Sequence, residues 1–401
     1  MELLSDVDLS AESVDVAVID QLERDSTAII ERLREVVFAP DKVKRLRRRW
    51  SITQAGELLG RTTKTIRQYE KDGRLPAPEL TESGRRLGYT LRELNIMRKV
   101  FGIEPFRAPE DDAVVLAVQN FKGGVGKSTV AAHISQYLAI KGYRVLVVDA
   151  DPQASLTSIF GLHPDIDVSD DETLYEFLTG YEASLRYAIR STHFDQLDLI
   201  PANLALYSIE YEMAARLPKT PELLNKLRQG VRGASSDYDV VVIDPPPALG
   251  MLSLSVLRAA NAMLIPVRPS AIDFGSTVSF FRMLSDAMTE LDKRDMPATY
   301  KFLRVLSNDL DEGKSAHKEI NRLMGSSYGI RMIGTALRDS AEIDNASAQL
   351  QTVYELEAPV TSRGTRQRCL RYLDKVCGEV EVLIRRTWPS HHAQLRELGL
   401  V

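Results

Sequence analysis

Cysteine is nearly missing from this 401-residue sequence: only Cys369 and Cys377 occur. Two thiols cannot supply a disulfide framework, and their spacing is not that of a zinc ribbon or of a ligand set for an iron–sulfur cluster. Long apolar runs are missing too. No stretch approaches the roughly 18 to 20 apolar residues that a membrane span needs. The opening MELLSDVDLSAESVDV is acidic and lacks the basic start and apolar core of a secretory leader. These absences predict a protein of the reducing cytoplasm.

What remains is ordinary globular material, 44% hydrophobic and 27% charged, in a chain long enough for two or three domains. The net charge of −5 hides a sharp asymmetry. Residues 1–41 carry three Arg against eleven acids, residues 42–107 carry seventeen Lys and Arg against seven acids, and the rest is acidic. A basic block between two acidic ones locates nucleic-acid contact at that block.

Ahead of it, from about Ser13 to Phe38, the residues Ile19, Leu22, Ser26, Ile29, Leu33 and Val36 recur at alternating spacings of three and four. That rhythm predicts a helix with one apolar stripe, closed by Pro40. With fewer than three heptads, the stripe fits either a dimerisation arm or a helix folded back on its own domain.

The basic block contains a helix-turn-helix pattern. Thr53 is placed to cap a short helix ending at Leu59, Gly60 supplies the turn, and Thr62 caps a second helix. With Ile66 and Tyr69 turned to the core, Arg61, Thr63, Lys64, Arg67 and Gln68 face outward, as donors for base edges and phosphates must. TESGRRLGY, with Arg85 and Arg86, reads as a basic wing before the helix TLRELNIMRKVF.

AVVLAVQN, residues 113–120, reads as a buried parallel strand that runs into FKGGVGKST and then a helix ending at Gly142. Strand, glycine loop and helix is the context of a phosphate-binding loop. Backbone N–H groups of Gly123, Gly124, Val125, Gly126, Lys127, Ser128 and Thr129 are placed for phosphate oxygens. Lys127 reaches the β/γ oxygens, and the Ser128 hydroxyl ligates Mg²⁺. The usual pattern has glycine where this chain has Phe121, and a second lysine, Lys122, stands beside it. Two further apolar runs end in Asp149 and Asp151 and in Asp244. Asp244, with Asp149 beside it, suits the metal, and Asp149 or Asp151 suits a hydrolytic water. No glutamate stands where a strong general base would, which predicts slow hydrolysis. Later strands are expected at 262–269 and 301–309, the second delivering Asn308 toward a nucleotide base.

Residues 50–101 resemble the winged helix-turn-helix of MerR-type regulators. KGGVGKST, DADPQAS and IDPPP, in that order, resemble the ParA family of partition ATPases, in the deviant P-loop class that includes MinD. The arm and helix-turn-helix match its long, type Ia members. The resemblance implies an α/β P-loop fold with a mostly parallel sheet. It divides the chain into an arm (1–40), a winged helix-turn-helix (41–107) and an ATPase domain (108–401). It implies ATP or ADP with Mg²⁺ as cofactors and an ATP-sandwich homodimer in which Lys122 reaches the partner subunit's nucleotide. Asp151 then positions the water. It also implies a ParB-type partner, sequence-specific operator DNA bound by the helix-turn-helix for autorepression, non-specific DNA bound in the ATP state, and nucleoid association. Arg338 and the run with Arg363, Arg366, Arg368 and Arg371 are candidates for that non-specific contact. A nucleotide-gated repressor without a segregation role shares every motif. The tail TWPSHHAQLRELGLV has few basic residues and no marked apolar face, so a membrane-cycling role is not expected.

Overall fold

Apolar runs of five or six residues, buried on both faces, become the interior strands of one sheet, as parallel strands covered by helices must. The computed structural model describes residues 15–37 and 43–400. Its strands are β1 (Val114–Val118), β2 (Val145–Asp149), β3 (Arg190–Ser191), β4 (Leu197–Ile200), β5 (Val240–Asp244), β6 (Ala262–Val267) and β7 (Phe302–Ser307). They lie in the order β3-β4-β2-β5-β1-β6-β7, all parallel except the β3–β4 pair.

Helices cover both faces. They are α5 (Lys127–Lys141), α6 (Ser155–Ile159), α7 (Tyr175–Thr179), α8 (Leu206–Arg216), α9 (Leu223–Ala234), α10 (Met251–Ala259), α11 (Ala271–Lys293), α12 (Ser315–Tyr328), α13 (Ala341–Ser347), α14 (Arg363–Arg386) and α15 (His392–Glu397). Helix α5 is buried nearly all round, which fits its place between the sheet and α14. Each Val or Leu packed this way contributes about 1.5–3 kcal/mol. Both cysteines are free and buried in α14, so they pack rather than ligate.

Because neighbouring parallel strands share direction, their carboxyl ends gather on one edge. Asp149 and Asp244 are direct register partners there, on either side of the boundary between β2 and β5. β1 opens into the glycine loop beside them, where an open α/β sheet places its ligand.

The winged segment comprises α2 (Ile52–Leu59), α3 (Thr63–Lys71) and α4 (Leu91–Phe101). The α2 cap is Ser51, not Thr53: the Ser51 hydroxyl accepts from Gln54 N and Gln54 Oε1 accepts from Ser51 N, a reciprocal box that starts the helix two residues earlier. Gly60 takes the left-handed turn (φ 59°), and Thr62 caps α3 as expected. Residues 79–87 pair as a small antiparallel hairpin, the wing.

This segment does not hang on a tether. Residues 46–401 form one compact unit with a shared core running from Trp50 to Trp388. Arg48 Nη1 donates to the Tyr354 carbonyl at 2.9 Å and Asn95 Nδ2 to Asp195 at 2.7 Å. Buried Arg98, in α4, donates from Nη2 to the Ile140 carbonyl at 2.5 Å, satisfying the C-terminal end of α5. Burial lowers the Arg98 pKa to about 10, opposed by the charge of Glu381, so the guanidinium stays charged.

The described residues up to Arg45 form a separate unit. Within it α1 (Val16–Val37) leaves Ile19, Leu22, Ile29, Leu33 and Val36 exposed. The stripe predicted from spacing is present; Ser13, Phe38 and Pro40 lie outside the described residues.

Candidate functional site: a phosphate loop with two lysines

The loop between β1 and α5 is held open by its glycines. A Cβ at Gly123 or Gly124 would meet nothing within 4 Å, so backbone N–H groups border open space. Gly124 and Gly126 have φ of 73° and 84°, a region L side chains rarely adopt. A Cβ at Gly126 would also lie 2.5 Å from Asn308 Nδ2. No side chain caps α5, which leaves its first N–H groups and positive dipole end to an anion.

Lys127 is buried, with Nζ 3.5 Å from the Lys122 carbonyl. Burial lowers its pKa while Asp244 and Asp151 pull it back up, so its charge is held by the acidic strand ends it faces. Asp244 is fully buried and neither oxygen meets a well-formed hydrogen bond among the described residues. Burial raises its pKa to about 7; the Ser128 hydroxyl and Lys127 charge oppose that rise. A buried carboxylate with no well-formed hydrogen bond among the described residues, beside a serine hydroxyl and an uncapped helix, is the donor set that Mg²⁺ with phosphate would complete.

Asp149 does not share that role. Its Oδ1 accepts from Asp151 N at 3.1 Å, and its Oδ2 accepts from Thr157 N and Oγ1 at 2.8 and 2.7 Å. With both oxygens committed and burial raising its pKa, Asp149 braces the loop that carries Asp151 rather than facing a metal. Asp151 keeps one oxygen on Gln153 N and lies within the field of Lys127. The arrangement leaves it as the acid suited to a water.

Asn308, expected near a base, donates from Nδ2 to the Val125 carbonyl at 2.7 Å and clamps the loop. The Val125 side chain is buried, so only its backbone faces the site. Beside the loop, Gly126, Thr129, Asn308 and Arg268 line a cavity of about 110 Å³ that Arg338 also borders.

Lys122 is turned the other way. Its N–H donates to Asn120 Oδ1 at 3.0 Å, and Asn120 Nδ2 donates to the Pro266 carbonyl, tying the loop to β6. Phe121, where the usual loop has glycine, packs edge-on against Phe280 of α11 with centroids 4.9 Å apart. The Lys122 ammonium pairs with Asp273 in the first turn of the same helix. Burial works against charge on Asp273, and Lys122 with the Ser270 hydroxyl more than offsets it, holding the carboxyl below its ordinary range. Sequence reasoning missed Asp273. Ser270-x-x-Asp273 signals a helix start, but nothing local links it to residue 122.

On the winged unit, Lys64 and Arg67 are exposed and make no ion pair with any described residue. Gln68 is also exposed but donates to Asp72, and Arg61 lies over the Phe101 ring at 5.4 Å beside half-buried Thr63. Arg85 sits exposed at the wing tip. Arg86 is a correction: it forms a two-point pair with Glu70, at 2.8 and 2.6 Å, and reaches Tyr89, so it fastens the wing to α3 instead of offering a donor to DNA. Arg338 is likewise engaged, ion-paired with Glu312 and stacked 4.0 Å over Tyr372. Arg366 donates to the Leu356 and Glu357 carbonyls, which leaves Arg363, Arg368 and Arg371 exposed on α14.

Residues 113–293 match a family model described as an AAA domain, and residues 51–87 match the MerR family regulatory protein model. Protein SopA of Escherichia coli strain K12 is 33% identical over 358 residues, covering 86% of this chain and 91% of SopA. Chromosome partitioning protein ParA of Caulobacter vibrioides is 37% identical over 232 residues, 58% of this chain and 83% of that protein. The chain belongs to the ParA family of partition ATPases. The ParA-family fold extends over nearly the whole chain: a solved structure described as a partition protein superposes with TM-score 0.65 over 92% of this chain and 99% of its own, at 17% identity. Cobyrinic acid a,c-diamide synthase from Mycobacterium smegmatis, solved with an ATP analogue and magnesium, is 28% identical with TM-score 0.50, over 61% of this chain and 91% of its own. The site of this ParA-family protein is therefore a P-loop ATPase site for ATP or ADP with Mg²⁺, joined to a MerR-type helix-turn-helix. Among the described residues no helix is long and apolar enough to cross a membrane.

Proposed function

We propose that this ParA-family protein is an ATP-dependent DNA-segregation switch that also represses its own operon. The observation that carries the reading is the division of labour between the two loop lysines. Lys127 is buried toward the strand-end acids of its own subunit, while Lys122 is half exposed and turned to α11. One nucleotide site does not need both. Lys122 is available to a second subunit once Asp273 releases it, and the ATP-bound form is then a homodimer.

Within each subunit Lys127 and the loop N–H groups hold phosphate, and Asp151 orients the attacking water. Mg²⁺, held by Ser128 and Asp244, would neutralise charge on the β/γ oxygens when bound. No side chain at the site is a free strong base. Hydrolysis is slow until a ParB-type partner and DNA stimulate it. The ATP dimer binds DNA of any sequence through exposed arginines of α14, and the exposed stripe of α1 pairs with its copy to hold two winged units for a two-fold operator.

Light scattering without nucleotide, with ADP and with ATP tests the assembly: a nucleotide-independent dimer through α1 and an ATP-specific change in its compaction or further association are expected. Retention of random-sequence duplex DNA only with ATP tests segregation. Absence of that retention, with operator binding intact, favours the second reading, a nucleotide-gated repressor. That reading draws on Arg98, which joins α4 of the winged unit to the far end of α5.

Operator contact is assigned to the outward face of α3. Arg67→Ala is expected to weaken operator binding roughly tenfold to a hundredfold, about 1–3 kcal/mol, and to leave ATP turnover unchanged. Gel-shift titration at fixed salt measures it; unaltered affinity removes Arg67 from the recognition surface.

A further inference from the structure

The sheet edge opposite the nucleotide site carries a second charged concavity. It has a volume of about 390 Å³ and lies where β1, β6 and β7 begin, under the C-terminal ends of α9 and α10. Arg228, Arg232, Arg258 and Lys301 line it, against a single carboxylate in the lining, Asp112. Arg228 and Arg232 are exposed one turn apart on α9, and neither they nor Lys301 make a side-chain ion pair or hydrogen bond with any described residue. Arg258 donates from Nη1 to the Pro297 carbonyl at 2.6 Å, while its Nε is buried with no partner. Burial, and then the charge of Arg228, lower the Arg258 pKa, the sign of cations crowded without an anion between them.

The simplest structural explanation is that these cations neutralise helix ends. Arg232 and Arg258 do occupy the last turns of α9 and α10. A helix C-terminus carries roughly half a negative charge, so two helix ends and Asp112 offset about two of the four cations. About two positive charges remain over a cavity several times the size of an inorganic phosphate. We propose that this concavity is a binding site for a dianionic phosphate group, carried by a small phosphate monoester or free in solution. Guanidinium groups give planar paired donors to phosphate oxygens, and the buried Arg258 Nε lacks such an acceptor. The site is independent of the nucleotide loop, since it lies on the other edge of the sheet.

The test uses the full chain with its nucleotide site filled by a non-hydrolysable ATP analogue and Mg²⁺. Calorimetric titration with inorganic phosphate, and separately with ribose 5-phosphate, is expected to reveal one further saturable site per chain. In R228Q/R232Q its affinity should fall at least tenfold while affinity for the ATP analogue is unchanged; R258Q should do the same. The exposed double variant guards against loss of the Arg258 tether to Pro297. Tighter binding of the sugar phosphate assigns a small-molecule monoester, and tighter binding of the inorganic ion assigns free phosphate. No saturable binding of either probe, or binding unaltered in both variants, overturns the site. So does duplex DNA binding that R228Q/R232Q abolishes and neither probe displaces, because the patch is then a DNA contact.

Discussion

Lys127→Ala is expected to lower affinity for ATP and ADP about a hundredfold, close to 2.7 kcal/mol. A hydrogen bond to a charged partner is worth about 1.5–3 kcal/mol, and here the ammonium is buried where solvent screens it little. It is also the cation that opposes the upward shift of Asp244. Without it, two buried acids face the phosphates with only Mg²⁺ between them. Calorimetry with ADP and Mg²⁺ measures the loss, and a retained melting transition shows that the fold survives. Wild-type affinity would mean that the glycine loop and helix end alone hold the phosphates.

Lys122→Ala should separate binding from assembly. Its ammonium lies on Asp273 and away from the loop it belongs to, so nucleotide affinity is expected to stay within about twofold. The ATP-specific change in compaction or association, and hydrolysis with it, should fall at least tenfold, since a cation supplied across a subunit boundary acts on charge that develops in the transition state. Asp273→Asn makes the contrast sharp. An ion pair at this partly exposed position contributes roughly 0.2–1 kcal/mol, and releasing Lys122 from it should lower the ATP concentration for assembly by a few-fold. Equal turnover in Lys122→Ala and wild type would sink the cross-subunit role. Assembly that is harder in Asp273→Asn would make that acid a brace for α11 instead.

The sheet was legible because its central strands are written as apolar runs, two of which, β2 and β5, end in Asp149 and Asp244. β1, β2, β5, β6 and β7 lie where those runs predict, while β3 and β4, two and four residues long, are too short to stand out from their flanks. The loop glycines, Lys127, Ser128 and Asp244 come together as their spacing requires. The sequence could not reveal how shared acceptors are divided. Asp149 and Asp244 look equivalent at two strand ends, yet Thr157 from α6 takes the first and leaves the second. Arg85 and Arg86 look equivalent in the wing, yet Glu70, fifteen residues earlier than Arg85, claims only Arg86. Contacts such as Lys122 to Asp273, 151 residues apart, are set by the packing of α11 on β6 and leave no local trace.

Helix α5 has the phosphate loop at its first residue and the Arg98 contact at its last turn. Its fifteen residues span about 22 Å. One added residue would advance the far end by about 1.5 Å and swing the Ile140 carbonyl by about 100° around the axis. Substitution along α5 can be absorbed by repacking; insertion or deletion cannot, because the helix serves as a gauge bar whose length sets the phase between the phosphate loop and the Arg98 contact of the winged segment.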